Sequence, residues 1–583
     1  MKEMLLDFVK TNDLEPFCVL RTSIRKGNDS IFKTTDAKII FSKVLSKLSS
    51  DFVFSETANL WNVFSFVDNF EEVSKRQSFF KSVSVRRTEE GFFLKELIKP
   101  RQDWSPKYDV VVVTEDEGTF SRLQKLNCPV QFIVNENDLL ELERYDIVQV
   151  VDCEMFGSVL SSLPQSIFLD SEGDVYLERF LEELSGWKNN LDILRRSNVS
   201  NEIGEIVNFL SSLCGLVDKK VNKVLTIDGA EKILENINEE ITGKISDMTI
   251  SGGSLVRILS EGKMPEDFEK MVDDALEKSD MPPEIFNLKI PVELDYKELE
   301  GYIKRQSANE FTHLAEEVKK RADEIREIPE KLKRLAMLLI FEDFCFGVSK
   351  YLNGKDFYPI LSESVHFENV KNFFLESPEP ISFQLDSFSR CSILTGANSG
   401  GKTTLLEHFL QNVVFFQLGL PVSGIVHMPM FSDIYYFAKN KGSANRGAFE
   451  TLLTQMSKVK FSEQTLILAD EIEAVTEPGI AGKIIATTAE YFISRNCFLV
   501  IATHLGYEIQ DCLPMGARID GIEAKGLDSN FNLIVDHNPV LGRLAHSTPE
   551  LIVESMANNF DVPYFKFLQE SLKKNKSDDE KFV

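Results

Sequence analysis

The chain has none of the features that would place it in a membrane, in an oxidising compartment or around a structural metal. No stretch reaches the roughly 20 consecutive apolar residues of a membrane-spanning helix, so no membrane partner is expected. The N-terminus, Met1-Lys2-Glu3-Met4-Leu5-Leu6-Asp7, meets acidic residues before an apolar core of signal-peptide length can form. The eight cysteines (Cys18, Cys128, Cys153, Cys214, Cys345, Cys391, Cys497 and Cys512) are scattered, with no two at metal-ligand spacing. They read as small buried hydrophobes in a reducing compartment, which gives a cytoplasmic location. Positive charge is also in deficit, because 92 acidic residues face 65 basic ones and leave a net charge of −27. That field favours solubility and opposes nucleic acid over most of the surface, so a nucleic acid would have to be met by a local basic face.

What is present is enough apolar material for several cores. At 583 residues, with 43% hydrophobic and 27% charged, the chain is globular and long enough for about three to five domains. Residues 1–104 mix short apolar and charged runs, and Leu60 to Ser82 reads as an amphipathic helix. Over 105–172 four β-branched runs alternate with helical patterns: Asp109 to Val113, Pro129 to Val134, Asp146 to Val151, and Ser166 to Leu169. They predict a small parallel α/β module, and it carries no glycine fingerprint for a ligand. Residues 173–350 are dominated by long helical patterns (Glu205 to Val224, Gly229 to Asp247, Ala308 to Tyr351), broken at Met281-Pro282-Pro283 and a strand-like stretch from Phe286 to Leu294. Strands and helices alternate again over 351–560, and 561–583 reads as a helix with a charged, fraying tail. The fold class is multidomain, α and α/β.

The chemistry is concentrated in the last large segment. The strand-like Ser392-Ile393-Leu394-Thr395 runs into Gly396-Ala397-Asn398-Ser399-Gly400-Gly401-Lys402-Thr403 and then Thr404, matching the phosphate-binding pattern G-x-x-x-x-G-K-[ST] at every fixed position. Glycines let backbone N–H groups curl round phosphates without Cβ clashes. Lys402 is expected to reach the β- and γ-phosphates, Thr403 to hold Mg²⁺, and the following helix to aim its positive end at the anion. Downstream, Thr465-Leu466-Ile467-Leu468-Ala469 ends in Asp470-Glu471. Asp470 is expected to hold Mg²⁺ through water, and Glu471 to orient or deprotonate the attacking water. A third apolar strand, Phe498 to Ala502, ends in Thr503-His504, which places a histidine where it can meet the γ-phosphate or the water.

This order of loop, acidic strand and histidine strand resembles the ATP-binding-cassette superfamily, and its details resemble the MutS branch. The loop is similar to Gly-Pro-Asn-x-Gly-Gly-Lys-[Ser/Thr], with Ala397 where proline is usual. Leu418-Gly419-Leu420-Pro421-Val422-Ser423-Gly424 resembles the turn after the first ATPase helix. Asp470-Glu471-Ile472, Val475-Thr476-Glu477-Pro478 and Ala502-Thr503-His504 resemble the acidic strand, interface loop and histidine motif. Thr476-Glu477-Pro478 is closest to the second MutS subfamily, and Asn69 to Gln77 resembles an early helix of the MutS core. The resemblance is specific over about 355–560, weaker at 55–85 and over the long helices, and absent over 105–172. It implies a MutS-like core, lever and clamp, a C-terminal P-loop ATPase domain, ATP and Mg²⁺ as ligands, and a homodimer sandwiching two ATP molecules.

Several departures bear on that implication. The family's signature segment carries Ser-Thr-Phe, whereas this chain has Arg446-Gly447-Ala448-Phe449 and lacks the hydroxyls. Glu473 and Val475 replace usual glycines. No room for an Smr nuclease domain is seen before Val583, so no nuclease activity is expected. Phe54-Ser55-Glu56 has the spacing of the mismatch-reading Phe-x-Glu, but Phe180-Leu181-Glu182 and Phe374-Leu375-Glu376 have it too, so Phe54 reads as a core residue. The nucleic-acid candidates are Lys289, Lys297, Lys304 and Arg305, near the tip of the helical region. Lys319, Lys320 and Arg321 follow, and the interleaved Glu316, Glu317, Asp323 and Glu324 fit a solvated helix face equally well. The function implied is an ATP-controlled clamp on branched or non-standard double-stranded DNA. The alternatives are an ATPase bound to ribosomes or structured RNA, and a nucleotide-gated scaffold with little turnover.

Overall fold

The computed structural model describes all residues except 18–29, 68, 85–87, 101–109, 218–224, 247–265, 280, 288–290, 397–400, 439–445, 463, 472–476, 529–530, 532, 546–548, 561 and 580–583. They fall into two compact units, Leu97–Leu335 and the combination of Met1–Glu96 with Ala336–Val583.

In the first unit the β-branched runs form four parallel strands, β1 (Val110–Thr114), β2 (Val130–Phe132), β3 (Ile147–Val150) and β4 (Ser166–Phe168), in the order β2-β1-β3-β4. Both faces are covered, as parallel sheets require. Val112 and Ile147 pack with Leu123 and Val175 on one side, and Val111, Val113, Val148 and Val150 pack with Leu139, Leu142 and Leu160 on the other. The helix Gly173–Arg196 then packs on Asn201–Val217, which begins four residues before the expected Glu205.

Farther along, Ile227–Ser246, Glu266–Glu277 and a short antiparallel pair, β5 (Phe286–Asn287) and β6 (Glu293–Leu294), enclose a separate core. Its members include Ile237, Val272, Phe286, Leu294 and Leu299. The pattern read as one helix from Ala308 to Tyr351 is three: Tyr296–Lys320, Ala322–Arg326 and Ile328–Leu352. The first starts early because the Asp295 carboxylate accepts from the N–H groups of Lys297 and Glu298. It stops where Arg321 leaves helical geometry and donates to the Ser212 carbonyl. Pro329 has no N–H and is tolerated only in a first turn, so the last helix must begin just before it.

In the second unit the expected helix from Leu60 to Ser82 is also divided, into a 3₁₀ stretch Ser55–Val63 and an α-helix Phe70–Ser84. Tertiary partners impose the break. The buried Asp343 carboxylate takes the N–H groups of Val53 and Phe54 and the Thr57 hydroxyl, Val67 N–H donates to Gln417, and Asn69 caps the second helix. Phe54 is buried, with its ring 5.0 Å from Phe17.

The remaining strands are β7 (Ile360–Leu361), β8 (Val365–Lys371), β9 (Pro380–Leu385), β10 (Cys391–Gly396), β11 (Ile425–Met428), β12 (Asp433–Phe437), β13 (Thr465–Asp470), β14 (Phe498–Ala502), β15 (Ala517–Ile522), β16 (Ala524–Leu527) and β17 (Leu533–Val535). Five of them form a parallel sheet in the order β12-β13-β14-β10-β15, and β7-β11-β8-β9 form a second, mixed sheet. The parallel sheet is apolar on both faces. Ile393, Ile467 and Leu499 pack with Ile485, Ala489 and Phe492 of the helix Pro478–Ile493 on one face, and the helix Lys402–Leu418 lies against the strands on the other. The N-terminal segment lengthens this sheet: Phe32 bridges Ile434 in parallel, with Lys33 N–H to Ile434 O at 2.9 Å and Ile434 N–H to Ile31 O at 2.8 Å. Among the described residues no helix is long and apolar enough to cross a membrane.

Candidate functional site

Adjacent parallel strands deliver their C-terminal ends to one edge of the sheet, where open α/β sheets bind ligands. β10 ends at Gly396, whose φ of 137° belongs to glycine and where a Cβ would lie 2.4 Å from the Ile522 carbonyl oxygen. The loop re-enters the described residues at Gly401, in left-handed geometry at the start of the helix Lys402–Leu418. Ala397, Asn398, Ser399 and Gly400 lie outside the described residues. Lys402 is 3% exposed and its ammonium donates to the Gly396 carbonyl at 2.6 Å. Its positive charge is thus folded across the loop's mouth. The Thr403 hydroxyl donates to Asp470 at 2.6 Å, and Asp470 is buried at the end of β13. Thr404, one residue on, has its carbonyl near the Asn372 amide at 3.4 Å.

Glu471 turns out of β13 with φ 47°, a left-handed conformation that costs a non-glycine residue about 1–2 kcal/mol. Its N–H still pairs with the Ala502 carbonyl at 2.9 Å, so the turn aims only the side chain. The carboxylate then meets His504 Nε2 at 2.8 Å. An ionised carboxylate only accepts, so the imidazole N–H is the donor. Hence Lys402, Thr403, Asp470, Glu471 and His504, spread over about a hundred residues of sequence, sit at one sheet edge. The segment containing Ile472, Glu473, Val475 and Thr476 lies outside the described residues. Gly447 and Ala448 fall in the first turn of the helix Arg446–Ser457.

The chain is 30% identical over 566 residues to DNA-binding protein MutS2 of Pyrococcus furiosus, an alignment spanning 90% of this chain and 96% of that one. This chain belongs to the MutS family, in its MutS2 branch. Two further relatives match in part. Endonuclease MutS2 of Aquifex aeolicus is 26% identical over 174 residues, covering 28% of this chain and 22% of that protein. DNA mismatch repair protein MutS of Thermotoga neapolitana is 24% identical over 251 residues, covering 42% of this chain and 30% of that protein. No family model matches the chain.

Three of the nucleic-acid candidates of this MutS2-branch chain, Lys297, Lys304 and Arg305, stand on one helix, Tyr296–Lys320. Lys297 and Arg305 are exposed on the helix Tyr296–Lys320. Lys304, on the same helix, donates to the Glu143 carbonyl beside the four-stranded sheet, and Lys319 pairs with Asp170 at 2.9 Å. Lys289 lies outside the described residues.

Three residues at the nucleotide-type site carry no signature in sequence. A Cβ on Gly401 would come within 3.2 Å of His537 Nδ1, so that ring stands beside the loop. Thr34 hydrogen-bonds β12 at Tyr436, and the Asp36 carboxylate accepts from Ala438 N–H at 3.2 Å, just before the undescribed segment leading to Arg446. No motif links these residues to the loop, because they reach it only through the folded sheet.

Proposed function

We propose that this chain is a Mg²⁺-dependent ATP hydrolase that works as a homodimeric clamp on double-stranded DNA, with branched or non-standard duplexes as the preferred class. The observation that carries the reading is the pair of contacts at one sheet edge, Thr403 to Asp470 and Glu471 to His504. A hydroxyl and a carboxylate are the hard oxygen donors that magnesium takes, so the residues present fit the ion. When bound, the ion offsets charge on the β- and γ-phosphates. The protein supplies the rest. The N–H groups at the start of the helix Lys402–Leu418 and the Lys402 ammonium bind phosphate oxygens. Glu471 holds and accepts a proton from the attacking water, and His504 keeps that carboxylate in its turned-out position. The name of the Pyrococcus relative supports DNA as the partner. Gly447 and Ala448, at the start of the signature helix, favour a second reading, a nucleotide-gated scaffold with little turnover.

Steady-state ATP hydrolysis, measured alone and with perfect duplex, mismatched duplex, four-way junction or ribosomes, tests the proposal. Glu471→Gln is expected to lower turnover about a hundredfold or more while ATP binding persists, and Lys402→Ala to lose ATP binding. Stimulation by a branched duplex supports the clamp, whereas stimulation by ribosomes alone replaces DNA with RNA. Tight ATP binding with no turnover above the Glu471→Gln blank leaves the scaffold.

A further inference from the structure

The mixed sheet β7-β11-β8-β9 closes one face on apolar side chains and carries histidines on the other. Val426 and Phe367 are buried, and the Phe367 ring lies 4.9 Å from Phe409 of the helix Lys402–Leu418. Side chains alternate along a strand, so the neighbouring His427, His366 and Glu368 emerge on the opposite, outer face. β8 and β11 run antiparallel, and their register sets His366 directly opposite His427 and Glu368 opposite Ile425. The two imidazole centres are 5.9 Å apart, and His366 Nε2 lies 3.8 Å from a Glu368 carboxylate oxygen. The His366 and Glu368 side chains are 40% and 51% exposed and His427 is half-buried, so solvent reaches all three.

These separations are close to those that one tetrahedral ion imposes. Zinc sits about 2.0 Å from a ligating imidazole nitrogen and about 3.2 Å from the ring centre, which puts two rings on one ion about 5.2 Å apart and a nitrogen and a carboxylate oxygen about 3.4 Å apart. Among the described residues no three His, Cys, Asp or Glu side chains already stand as a finished metal site, so the group must close by a fraction of an ångström, which side-chain rotation at an open face supplies. The strand allows it. Just beyond Glu368 the register of β8 against β9 slips between Phe367 and Val370, and Asn369 takes φ 54°. Such a bulge leaves Glu368 out of step with β9 and lets its carboxylate turn towards the histidines. Two imidazoles and a carboxylate suit zinc and neighbouring transition metals, whereas the oxygen donors Thr403 and Asp470 suit magnesium.

We infer that His366, His427 and Glu368 form a second metal site, which takes a divalent transition-metal ion such as zinc and leaves a position for water. An ion bound there cross-links β8 to β11 over the helix that follows the phosphate loop. The inference stands apart from the ATPase reading. The test is calorimetric titration of zinc into the full chain, in magnesium buffer without nucleotide, for wild type, His366→Gln, His427→Gln and Glu368→Gln, with thermal melts to show that each variant is folded. The wild type is expected to saturate with one zinc per chain, each histidine variant to weaken uptake about tenfold or more, and Glu368→Gln to weaken it by less. Zinc uptake that persists unchanged in both folded histidine variants overturns the inference, as does a wild type that takes up no zinc. If a histidine variant fails to fold, cobalt(II) titration of the wild type decides: the visible bands of a four-coordinate ion support the site, and their absence overturns it.

Discussion

Asp343 shows how a single buried carboxylate shapes both local geometry and pH response. It takes three hydrogen bonds, from Val53, Phe54 and Thr57, which favour its charged form, yet burial outweighs them and raises its pKa from the ordinary 3.8 to about 6. A carboxyl that holds its proton more tightly when folded stabilises the fold below the unfolded value and loses that contribution as pH rises through the folded one. The window is therefore about pH 4 to 6, and the loss across it is at most about 3 kcal/mol. Urea unfolding of wild type and Asp343→Asn at pH 4.5 and pH 7 should show the wild type losing ground to the variant at the higher pH. An equal difference at both pH values would refute the assignment. Glu471 is the complementary case, where strain rather than burial is used, and its left-handed turn delivers the carboxylate to His504.

At the scale of elements, the helix Lys402–Leu418 is the best-anchored part of the site. Its first residues carry Lys402 and Thr403. At its other end Arg76 donates to the Gln417 and Ser65 carbonyls at 2.8 Å each, and the Gln417 side chain accepts Val67 N–H at 3.2 Å. The two ends thus tie the phosphate loop to the helix Phe70–Ser84. The helix Arg446–Ser457 is equipped differently, since Gly447 and Ala448 offer no hydroxyl where the family's signature segment has two. Restoring them with Gly447→Ser and Ala448→Thr is expected to raise phosphate release at saturating ATP about tenfold, the effect of added donors aimed at developing charge. Unchanged release would mean that this helix does not limit turnover.

For the whole molecule, a net charge of −27 disfavours close association of two copies, so a dimer needs a specific adhesive. On the proposed reading, ATP held between two subunits supplies it. Exposed apolar residues lie near the end of the chain, Ile552, Tyr564 and Phe567 on the helices Pro549–Asn559 and Pro563–Asp579 and Phe560 between them. Sedimentation of Glu471→Gln, which should retain ATP, is expected to show the mass double when ATP and Mg²⁺ are added. A monomer under all conditions would sink the two-subunit sandwich.

Much of the fold is legible because its signals are local. The valine run Val110 to Val113 and its three companions form a parallel sheet because β-branched, two-sided apolar stretches of that length suit buried strands. The glycine loop before Lys402 and the acids ending Thr465–Asp470 are likewise written in consecutive residues, and parallel strand order brings them to one edge. Helix interruptions are less legible: within the break between Val63 and Phe70, Val67 N–H pairs with Gln417, 350 residues away. Nor does sequence show that Lys304 and Lys319 turn towards Glu143 and Asp170, because charge patterning along a helix does not say which neighbour the side chains meet. By itself the sequence determined the apolar strands, the phosphate-type loop and the identity of the acids and histidine beside it, since each depends on short-range periodicity or spacing. Only the tertiary structure decided that Thr34 is tied to Tyr436 of β12 and that His537 stands beside Gly401, because a contact across 402 residues leaves no periodic trace in the chain.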